Sequence, residues 1–276
     1  MSRRDLTGMR MLVTGASQGI GRALAELAAK RGMKVLAAAR SVDLLAQLAE
    51  SVRGQGKTLE VVQADVATEE GRQAMVAAAR EKFGGLDILV NNAGIGATGH
   101  FADSEAVVLR RIMETNFFGT VETTRAFLPM LREGHLPAVV NVSSILGKRA
   151  LAARSLYSAS KFAVEGWTQA IRAEFARFDI DVISINPGLT QTNFSQNMLE
   201  KKGKMELDHL RGMTSEQVAE ATLAAIAKGT SSVNLTFKGK LLLFVHRFAP
   251  GLIDRISKKK VRGLFKDEIA ARKKLA

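Results

Sequence analysis

Tyr157, the only tyrosine of the chain, stands four residues before Lys161. Residues four apart share one face of a helix, so the phenol and the ammonium would lie side by side. A free tyrosine has a pKa of about 10, and one ammonium at ~4.5 Å in an effective dielectric of ~20 would lower it by roughly 3 units. The spacing therefore predicts a tyrosine that exchanges protons near neutral pH.

Short apolar runs alternate with amphipathic stretches along most of the chain. Six runs are predicted to be buried strands, over residues 11–14, 34–38, 58–62, 86–90, 138–142 and 181–185. Helices are predicted over residues 22–31, 43–53, 69–83 and 104–131. This alternation predicts an α/β fold: a single doubly wound Rossmann domain with a parallel sheet and helices on both faces.

A glycine-rich turn separates the first predicted strand from the first predicted helix. Its glycines are Gly15, Gly19 and Gly21, within the run Thr14-Gly15-Ala16-Ser17-Gln18-Gly19-Ile20-Gly21. Glycines let a backbone approach a pyrophosphate closely, and the following helix N-terminus favours its negative charge. The turn predicts a dinucleotide site.

The end of the second predicted strand indicates which dinucleotide is bound. NAD-binding proteins usually carry an acidic residue there for the ribose 2′-hydroxyl. This chain has Arg40 and Ser41 instead. An arginine can pair with a 2′-phosphate that a carboxylate would repel, so NADP(H) is favoured.

The composition excludes several classes of protein. The chain has no cysteine, which excludes disulfides and thiolate catalysis, and its four histidines show no metal-ligand spacing. No run approaches the ~20 apolar residues of a spanning helix, and no signal-peptide pattern follows Met1. With one tryptophan and one tyrosine, the chain lacks an aromatic platform for nucleic acid. We therefore expect a cytoplasmic protein without a metal.

The C-terminal segment differs in charge from the rest of the chain. Residues 236–276 carry +9 of the net charge of +13. We divide the chain into a catalytic domain, 1–236, and a basic amphipathic extension, 237–276. Its apolar residues follow helical spacing between lysines, and they include Leu241, Phe244, Val245, Phe248, Leu252 and Ile256. This pattern suits an anionic membrane surface, and equally packing on the domain or at a subunit interface.

These motifs occur together with others in a specific order. They are Ala64-Asp65-Val66, Asn91-Asn92-Ala93-Gly94, Asn116, Ser143-Ser144, Tyr157-x3-Lys161 and Asn186-Pro187-Gly188. In this order the chain resembles the short-chain dehydrogenase/reductase family over residues 8–236, in its NADP(H)-dependent, 11-beta-hydroxysteroid-dehydrogenase-like branch. The resemblance implies a seven-stranded parallel sheet and an enzyme that interconverts a carbonyl and a secondary alcohol.

The resemblance also implies roles for individual residues. Tyr157 would exchange the substrate proton, Ser144 would polarise the carbonyl (with Ser143 as the rival), Lys161 would tune Tyr157, and Asn116 would anchor a water. The implied cofactor residues are Gly15, Ser17, Gln18, Gly19, Ile20, Gly21, Arg40, Ser41, Asp65, Val66, Asn92, Ala93, Gly94, Tyr157, Lys161, Pro187, Gly188, Thr190 and Thr192. Thr190 replaces the valine that the family often has.

The segment after Gly188 resembles the family's substrate lid and is rich in apolar residues. Together with the Ser144 turn it supplies the predicted substrate residues Ser144, Ile145, Leu146, Leu151, Leu189, Phe194 and Met198, with Leu199 beside them and Met205 further along. We expect a lipophilic steroid-, retinoid- or lipid-like substrate and a homodimer or homotetramer. The alternatives are a 3-oxoacyl-carrier-protein reductase and, in another class, a non-catalytic NADP(H)-binding protein that docks on membranes.

Overall fold

The structure is a computed structural model that describes residues 3–192, 194, 198–204 and 212–275. Residues 273–275 are described by their backbone alone. Its strands are β1 (Arg10–Thr14), β2 (Lys34–Ala39), β3 (Glu60–Gln63), β4 (Ile88–Asn91), β5 (Ala138–Val142), β6 (Asp181–Asn186), β7 (Thr190–Gln191), β8 (Met213–Thr214) and β9 (Ser232–Asn234). Its helices are α1 (Gly19–Lys30), α2 (Val42–Arg53), α3 (Glu69–Phe83), α4 (Ala106–Met113), α5 (Gly119–Arg132), α6 (Ser155–Glu174), α7 (Ser215–Lys228), α8 (Phe237–Phe248), α9 (Pro250–Leu264) and α10 (Lys266–Leu275).

Seven strands form one parallel sheet in the order β3-β2-β1-β4-β5-β6-β9. The strand order reverses between β1 and β4, which makes the crevice at their carboxyl ends the topological switch point of the fold. β7 and β8 pair separately from this sheet. The predicted doubly wound, seven-stranded α/β fold is confirmed.

Two apolar layers cover the two faces of the sheet. Successive residues of a strand point to opposite faces, so Met11 and Val13 join one layer while Leu12 joins the other. The first layer is completed by α1, α2 and α7, and the second by α3, α5 and α6. Because both faces are buried, the strands read as continuous apolar runs.

Local sequence signals begin and end several of the helices. The Thr68 hydroxyl accepts a hydrogen bond from the Gly71 amide at 3.1 Å and starts α3, which Gly84 ends at φ 67°. Thr214 and Gln217 form a reciprocal capping box at the start of α7. These caps fix the direction in which each helix leaves the sheet edge.

Two sequence-based expectations about elements need correction. The single helix expected over residues 104–131 is divided into α4, a π-helical turn at Glu114–Phe118, and α5, with a short 3-10 turn at Phe101–Asp103 before them. A π turn holds one extra residue, which the apolar period of a long helix conceals. Strand β9 is not among the six strands predicted from apolar runs, because it has only three residues and all of them are partly exposed.

Helices α8 and α9, and Phe265 between α9 and α10, pack on the rest of the chain. Ile253 of α9 is buried, and Asp254 pairs with Arg149 at 2.5 Å. The ring of Phe265 packs edge-on against His100, with centroids 4.7 Å apart. The extension thus contacts the loops that follow β4 and β5. Among the described residues, no helix is long and apolar enough to cross a membrane.

Candidate active site

The carboxyl ends of the parallel strands surround one cavity of about 1060 Å³. The loops that follow β1, β2, β4, β5 and β6 all contribute to its lining, as expected at the switch point of a doubly wound sheet. Ser144, Tyr157 and Lys161 line this cavity together, as does every predicted cofactor residue except Gly21. Asn116 lies behind it. The fold therefore brings the sequence-predicted residues to one place.

Tyr157 and Lys161 lie in the first two turns of α6. The Lys161 ammonium is 5.9 Å from the centroid of the Tyr157 ring, and it donates a hydrogen bond to the carbonyl of Val142 at 2.8 Å. Phe194 packs edge-on against the tyrosine ring, with centroids 5.6 Å apart. The pair thus shares one helix face and one cavity, and an aromatic ring shields the phenol on another side.

Burial dominates the proton affinities of both groups. It raises the pKa of Tyr157 to about 12, against the effect of a hydrogen bond with Ser144, and it lowers the pKa of Lys161 to about 8. Lys161 has therefore lost its charge at the pH where Tyr157 ionises. The expected lowering of the tyrosine pKa toward neutrality is absent from the protein alone. At neutral pH Tyr157 is a protonated phenol, which is a proton donor.

Ser144 follows β5 and begins the 3-10 turn Ile145–Gly147. Its hydroxyl accepts a hydrogen bond from the Leu146 amide at 3.1 Å and is hydrogen-bonded to the Tyr157 phenol. The hydroxyl of Ser143 points to the backbone instead, donating to the carbonyl of Lys161 at 3.4 Å. Of the two candidate serines, Ser144 is therefore the one that contacts the phenol.

Asn116 is fully buried in the π-helical turn. Its side-chain oxygen accepts from the Ile95 amide at 2.8 Å, and its nitrogen donates to the Ile95 carbonyl and to the Ser160 hydroxyl, each at 2.9 Å. A Cβ added to Gly94 would lie 3.3 Å from the Asn116 oxygen and 3.7 Å from the Lys161 nitrogen. Asn116 thus joins the loop after β4 to α6, and its role as a water anchor stays a prediction.

The glycine-rich turn leaves space that side chains would fill. Gly15 and Gly19 have φ values of 66° and 55°, in the region that favours glycine. A Cβ on Gly15 would lie 2.7 Å from the Cα of Ala93, and one on Gly19 would lie 3.2 Å from Thr192. The helix α1 begins at Gly19, so its unpaired amide groups face the cavity edge. This arrangement fits a dinucleotide pyrophosphate.

Gly21 does not line the cavity, and its place among the cofactor residues stays a prediction. A Cβ there would lie 2.4 Å from both the side-chain nitrogen of Asn92 and the carbonyl oxygen of Gly15. The glycine is needed because α1 packs closely on the turn. Asn92 completes this contact by donating to the carbonyl of Thr14 at 2.9 Å, while the Thr14 hydroxyl accepts from the amides of Asn92 and Ala93 at 3.0 and 3.1 Å.

The adenosine end of the cavity lies beyond β2 and β3. Arg40 follows β2 with 65% of its side chain exposed, and its guanidinium is 3.9 Å from the carboxylate of Asp65. Ser41 precedes α2, and Asp65 accepts a hydrogen bond from the Ala67 amide at 3.0 Å. An exposed guanidinium at this edge can turn toward a 2′-phosphate, so the residues fit NADP(H).

The opposite end of the cavity is formed by the segment after β6. The carbonyl of Pro187 accepts a hydrogen bond from the Ile145 amide at 2.9 Å, which ties this segment to the Ser144 turn. The Thr190 hydroxyl donates to the carbonyl of Gly188 at 3.2 Å, and Thr190 pairs with Met213 in the β7–β8 ladder. The contact of the Thr190 backbone with a cofactor carboxamide stays a prediction.

The predicted substrate residues are gathered in the same cavity. Its lining includes all of them, namely Ser144, Ile145, Leu146, Leu151, Leu189, Phe194 and Met198. Leu199 is the exception among the neighbouring residues, because it packs on the small core around Ile112 and Leu156. Met205 lies outside the described residues. This end of the cavity is therefore mostly apolar.

Sequence reasoning missed two contributors to this cavity. Arg154 is buried at the start of α6, and burial lowers the pKa of its guanidinium. Phe237, Lys238, Gly239 and Leu242 of α8 also line the cavity. The apolar stripe of the extension was visible in the sequence, but the sequence did not indicate that α8 would line the same cavity as the catalytic candidates. The boundary at residue 236 therefore separates elements that share one cavity.

A buried polar network supports the Ser144 turn from behind. Burial alone would raise the pKa of Glu165, but hydrogen bonds from Lys148, Ser184 and Gln169 outweigh it and hold that pKa below its usual value. The Glu165 carboxylate is 2.8 Å from the Lys148 ammonium and 2.6 Å from the Ser184 hydroxyl. Since Lys148 directly follows the turn Ile145–Gly147, this ion pair fixes the turn to α6.

Comparison with known proteins agrees with this geometry. The family model described as short chain dehydrogenase matches residues 9–203. The mouse "Dehydrogenase/reductase SDR family member 7B" is 34% identical over 270 residues, which cover 95% of this chain and 84% of the mouse protein. "Ketoacyl reductase HetN" from Nostoc is 33% identical over 261 residues, covering 91% and 88% of the two chains.

Solved structures lead to the same group. A short-chain dehydrogenase/reductase from Burkholderia phymatum in complex with NAD has a TM-score of 0.82 at 25% identity, covering 90% of this chain and 96% of the other. An alcohol dehydrogenase from Thermococcus sibiricus complexed with 5-hydroxy-NADP has a TM-score of 0.73 at 25% identity, covering 82% and 95%.

The fold and the site thus define a dinucleotide-dependent oxidoreductase built on a doubly wound sheet. The chain belongs to the short-chain dehydrogenase/reductase family. It is an enzyme of that family, and nothing favours the non-catalytic alternative. Within the described residues, no cluster of side chains could hold a metal ion.

Proposed function

We propose that this protein is an NADPH-dependent carbonyl reductase that acts on a lipophilic ketone or aldehyde. The observation that carries the proposal is that Ser144 and Tyr157 are hydrogen-bonded in one cavity whose glycine-rich turn fits a pyrophosphate. The apolar lining of its other end supports a lipophilic substrate.

The chain's own residues would supply position and the proton. Ser144 donates a hydrogen bond to the substrate carbonyl oxygen, which polarises the carbonyl carbon. Tyr157, protonated at neutral pH, gives its proton to the same oxygen as negative charge develops there. Lys161 holds the ribose and, by its charge, stabilises the phenolate that remains. NADPH, when bound, supplies the hydride. A protonated phenol is the form of Tyr157 that carbonyl reduction requires.

The reductase is tested by NADPH oxidation with a panel of carbonyl compounds. We expect Tyr157→Phe and Ser144→Ala to lower kcat/KM by roughly 10² to 10⁴, the usual loss of a proton donor or an oxyanion contact. Ser143→Ala is the matched control, because the Ser143 hydroxyl donates to the backbone of Lys161, whereas Ser144 is the serine that is hydrogen-bonded to the phenol. A wild-type protein that oxidises NADPH with no member of the panel contradicts the proposal.

The preference for NADP(H) over NAD(H) rests on Arg40. The similar solved structures hold an NAD and an NADP derivative, so they support either cofactor. We expect Arg40→Ala to weaken NADPH binding at least tenfold and to leave NADH binding unchanged, since only NADPH carries the 2′-phosphate. Arg125→Ala is the control, because Arg125 is similarly exposed, at 73%, on α5. Equal losses for both cofactors would remove the argument.

Reduction of a 3-oxoacyl thioester is the second candidate activity. The similarity to the Nostoc ketoacyl reductase favours it. Acetoacetyl thioesters and hydrophobic cyclic ketones are compared by kcat/KM under the same conditions. A higher kcat/KM for the thioesters would show that the substrate is a 3-oxoacyl thioester rather than a lipophilic ketone. The roles of Ser144 and Tyr157 would be unchanged.

Self-association is a further part of the proposal. Phe118 in the π-helical turn and Phe162 on α6 are 46% and 44% exposed, although both lie on elements that pack together. Exposed phenylalanines beside a catalytic helix support a homodimer through this side. Light scattering should give the mass of at least two chains, and Phe118→Glu combined with Phe162→Glu should reduce it to one.

A further inference from the structure

Helices α8 and α9 present a row of large apolar side chains to solvent. On α8, Phe237, Leu241, Phe244 and Phe248 recur at intervals of four, three and four residues, which places them on one helix face. They are 80%, 50%, 63% and 70% exposed. Leu252 and Ile256 of α9 are 50% and 59% exposed. We call these six residues the α8–α9 face, and no other described part of the chain covers it.

Exposed cations border this row. At 3.6 residues per turn, Lys238 lies on one side of the α8 row, and Lys240 and Arg247 lie on the other. The exposed cations of α9 are Arg255, Lys258, Lys259, Lys260 and Arg262. Within the described residues none of these cations makes a salt bridge, and the acidic Asp254 pairs with Arg149 of the domain instead. The positive charge of the extension is therefore left for a partner.

The opposite side of α8 is fixed to the active site. Gly239 is buried, and a Cβ there would lie 2.9 Å from the Ile145 side chain. Leu242, on the same side as Gly239, lines the cavity, and so does Phe237 at the first turn of the helix, where the α8–α9 face begins. Because α8 is held in this way, the α8–α9 face is presented in one orientation. A helix with its side chains is about 10–12 Å across, so whatever covers this face lies about one helix diameter from the cavity.

We propose that the α8–α9 face docks on the surface of an anionic phospholipid bilayer. The phenylalanines would enter the boundary between headgroups and acyl chains, and the lysines beside them would stay with the anionic headgroups. The proposal rests on the proposed function in one respect: a lipid-dissolved substrate would reach the cavity past Phe237, which both lines the cavity and is 80% exposed.

Charge favours a bilayer over a second copy of the chain. Two copies that paired through this face would bring together two extensions of +9 each. Like charges at such a contact repel, whereas anionic headgroups neutralise them.

The experiment measures sedimentation of the full chain with phospholipid vesicles. Vesicles of phosphatidylcholine alone are compared with vesicles that also contain phosphatidylserine. We expect binding to the anionic vesicles and at least about tenfold weaker binding to the neutral ones. Raising the salt from ~0.15 M to ~1 M shortens the Debye length from ~8 Å to ~3 Å and should release much of the bound protein.

Two charge-matched double variants locate the docking surface. Phe244→Glu with Phe248→Glu places two carboxylates on the α8–α9 face. Val61→Glu with Val107→Glu makes the same change in net charge at residues that are 41% and 54% exposed on β3 and α4. We expect the first variant to bind anionic vesicles at least about tenfold more weakly and the second to bind like the wild type. Circular dichroism establishes that both are folded.

Three outcomes would overturn the docking. The first is a folded wild type that does not bind anionic vesicles. The second is an equal loss of vesicle binding in the two double variants. The third is a protein that binds no vesicles and forms a dimer that only the α8 substitutions dissociate. Vesicle binding needs no substrate, and turnover of a water-soluble ketone needs no vesicle. Turnover without vesicle binding therefore overturns the docking alone, and vesicle binding without turnover overturns the proposed reductase alone.

Discussion

The ammonium of Lys161 lies 5.9 Å from the ring centroid of Tyr157, while its hydrogen bond goes to the backbone carbonyl of Val142. The two functional groups are therefore neighbours that do not bond to each other directly. Among the described residues, Ser144 makes the hydrogen bond that lowers the pKa of the phenol, and burial outweighs it. The protein alone thus holds the acid protonated, and a further positive charge is needed to make it a base.

The ionisation of Tyr157 can be measured directly, because no other tyrosine absorbs. In the protein alone we expect a pKa above the ordinary value of about 10, near the value of about 12 that burial produces. NADP⁺ should lower it, since the positive nicotinamide favours the phenolate. Tyrosinate absorbance after rapid pH jumps gives both values, and Tyr157→Phe supplies the blank. A pKa at or below 10 in the protein alone contradicts the burial argument.

Burial of Lys161 predicts a pH dependence of stability. Its pKa is about 8 in the folded protein and 10.5 ordinarily. Between these two pH values the unfolded chain therefore binds more protons than the folded protein does. The free energy of unfolding should therefore rise with pH in this window, by about 2 kcal/mol from pH 8 to pH 10. Chemical unfolding of the wild type and of Lys161→Met at both pH values isolates this contribution. No change in their difference would show that Lys161 is solvated.

The strands were predictable because a buried parallel sheet needs apolar residues on both faces. Leu12, for example, belongs to one layer while Met11 and Val13 belong to the other, so the run is continuous. The same reasoning could not find β9, whose residues are only partly buried at the sheet edge. It also could not find the π-helical turn around Asn116, because one inserted residue hardly disturbs a helical period.

The grouping of the candidate residues around one cavity was predictable from motif order, whereas the environment of their side chains was not. Sequence spacing placed Tyr157 and Lys161 on one helix face, but it did not show that both would be buried. The ring that packs on Tyr157, for example, belongs to Phe194, far along the chain. The contribution of α8 was hidden for the same reason. A stripe of apolar residues shows that a helix has an apolar face, and only the fold shows that Gly239 packs on Ile145.

Gly21 provides a test of close packing between α1 and the glycine-rich turn. Its missing Cβ would lie 2.4 Å from Asn92 and from the Gly15 carbonyl, so Gly21→Ala should cost about 1–3 kcal/mol or more and weaken NADPH binding. Gly166→Ala is the control on α6, where a Cβ meets nothing within 4 Å and should stabilise by about 0.5–1 kcal/mol. Urea unfolding measures both, and similar stabilities would refute the packing argument.

The ion pair of Glu165 and Lys148 predicts a loss of both stability and catalysis when it is broken. Glu165 is almost completely buried, so Glu165→Gln leaves an unpaired ammonium near the Ser144 turn and should cost about 3 kcal/mol. Glu122→Gln is the control, because its pair with Arg125 is exposed and should contribute less than about 0.5 kcal/mol. Urea unfolding compares the two variants, and equal losses would show that the buried pair has no special weight.

The same ion pair separates a positioning role from a purely structural one. Lys148 ends the turn that holds Ser144, so Glu165→Gln should lower kcat more than it weakens NADPH binding. Adding Lys148→Met to Glu165→Gln should restore part of the stability, because it removes the unpaired charge.

The pKa of Glu165 is lowered in the folded protein, so the stabilisation is complete above the ordinary value of about 4.3 and is lost as the pH falls through the lower folded value. The free energies of unfolding of the wild type and of Glu165→Gln should therefore converge at low pH. A difference between them that stays constant with pH would show that the Glu165 carboxylate does not provide the stabilisation.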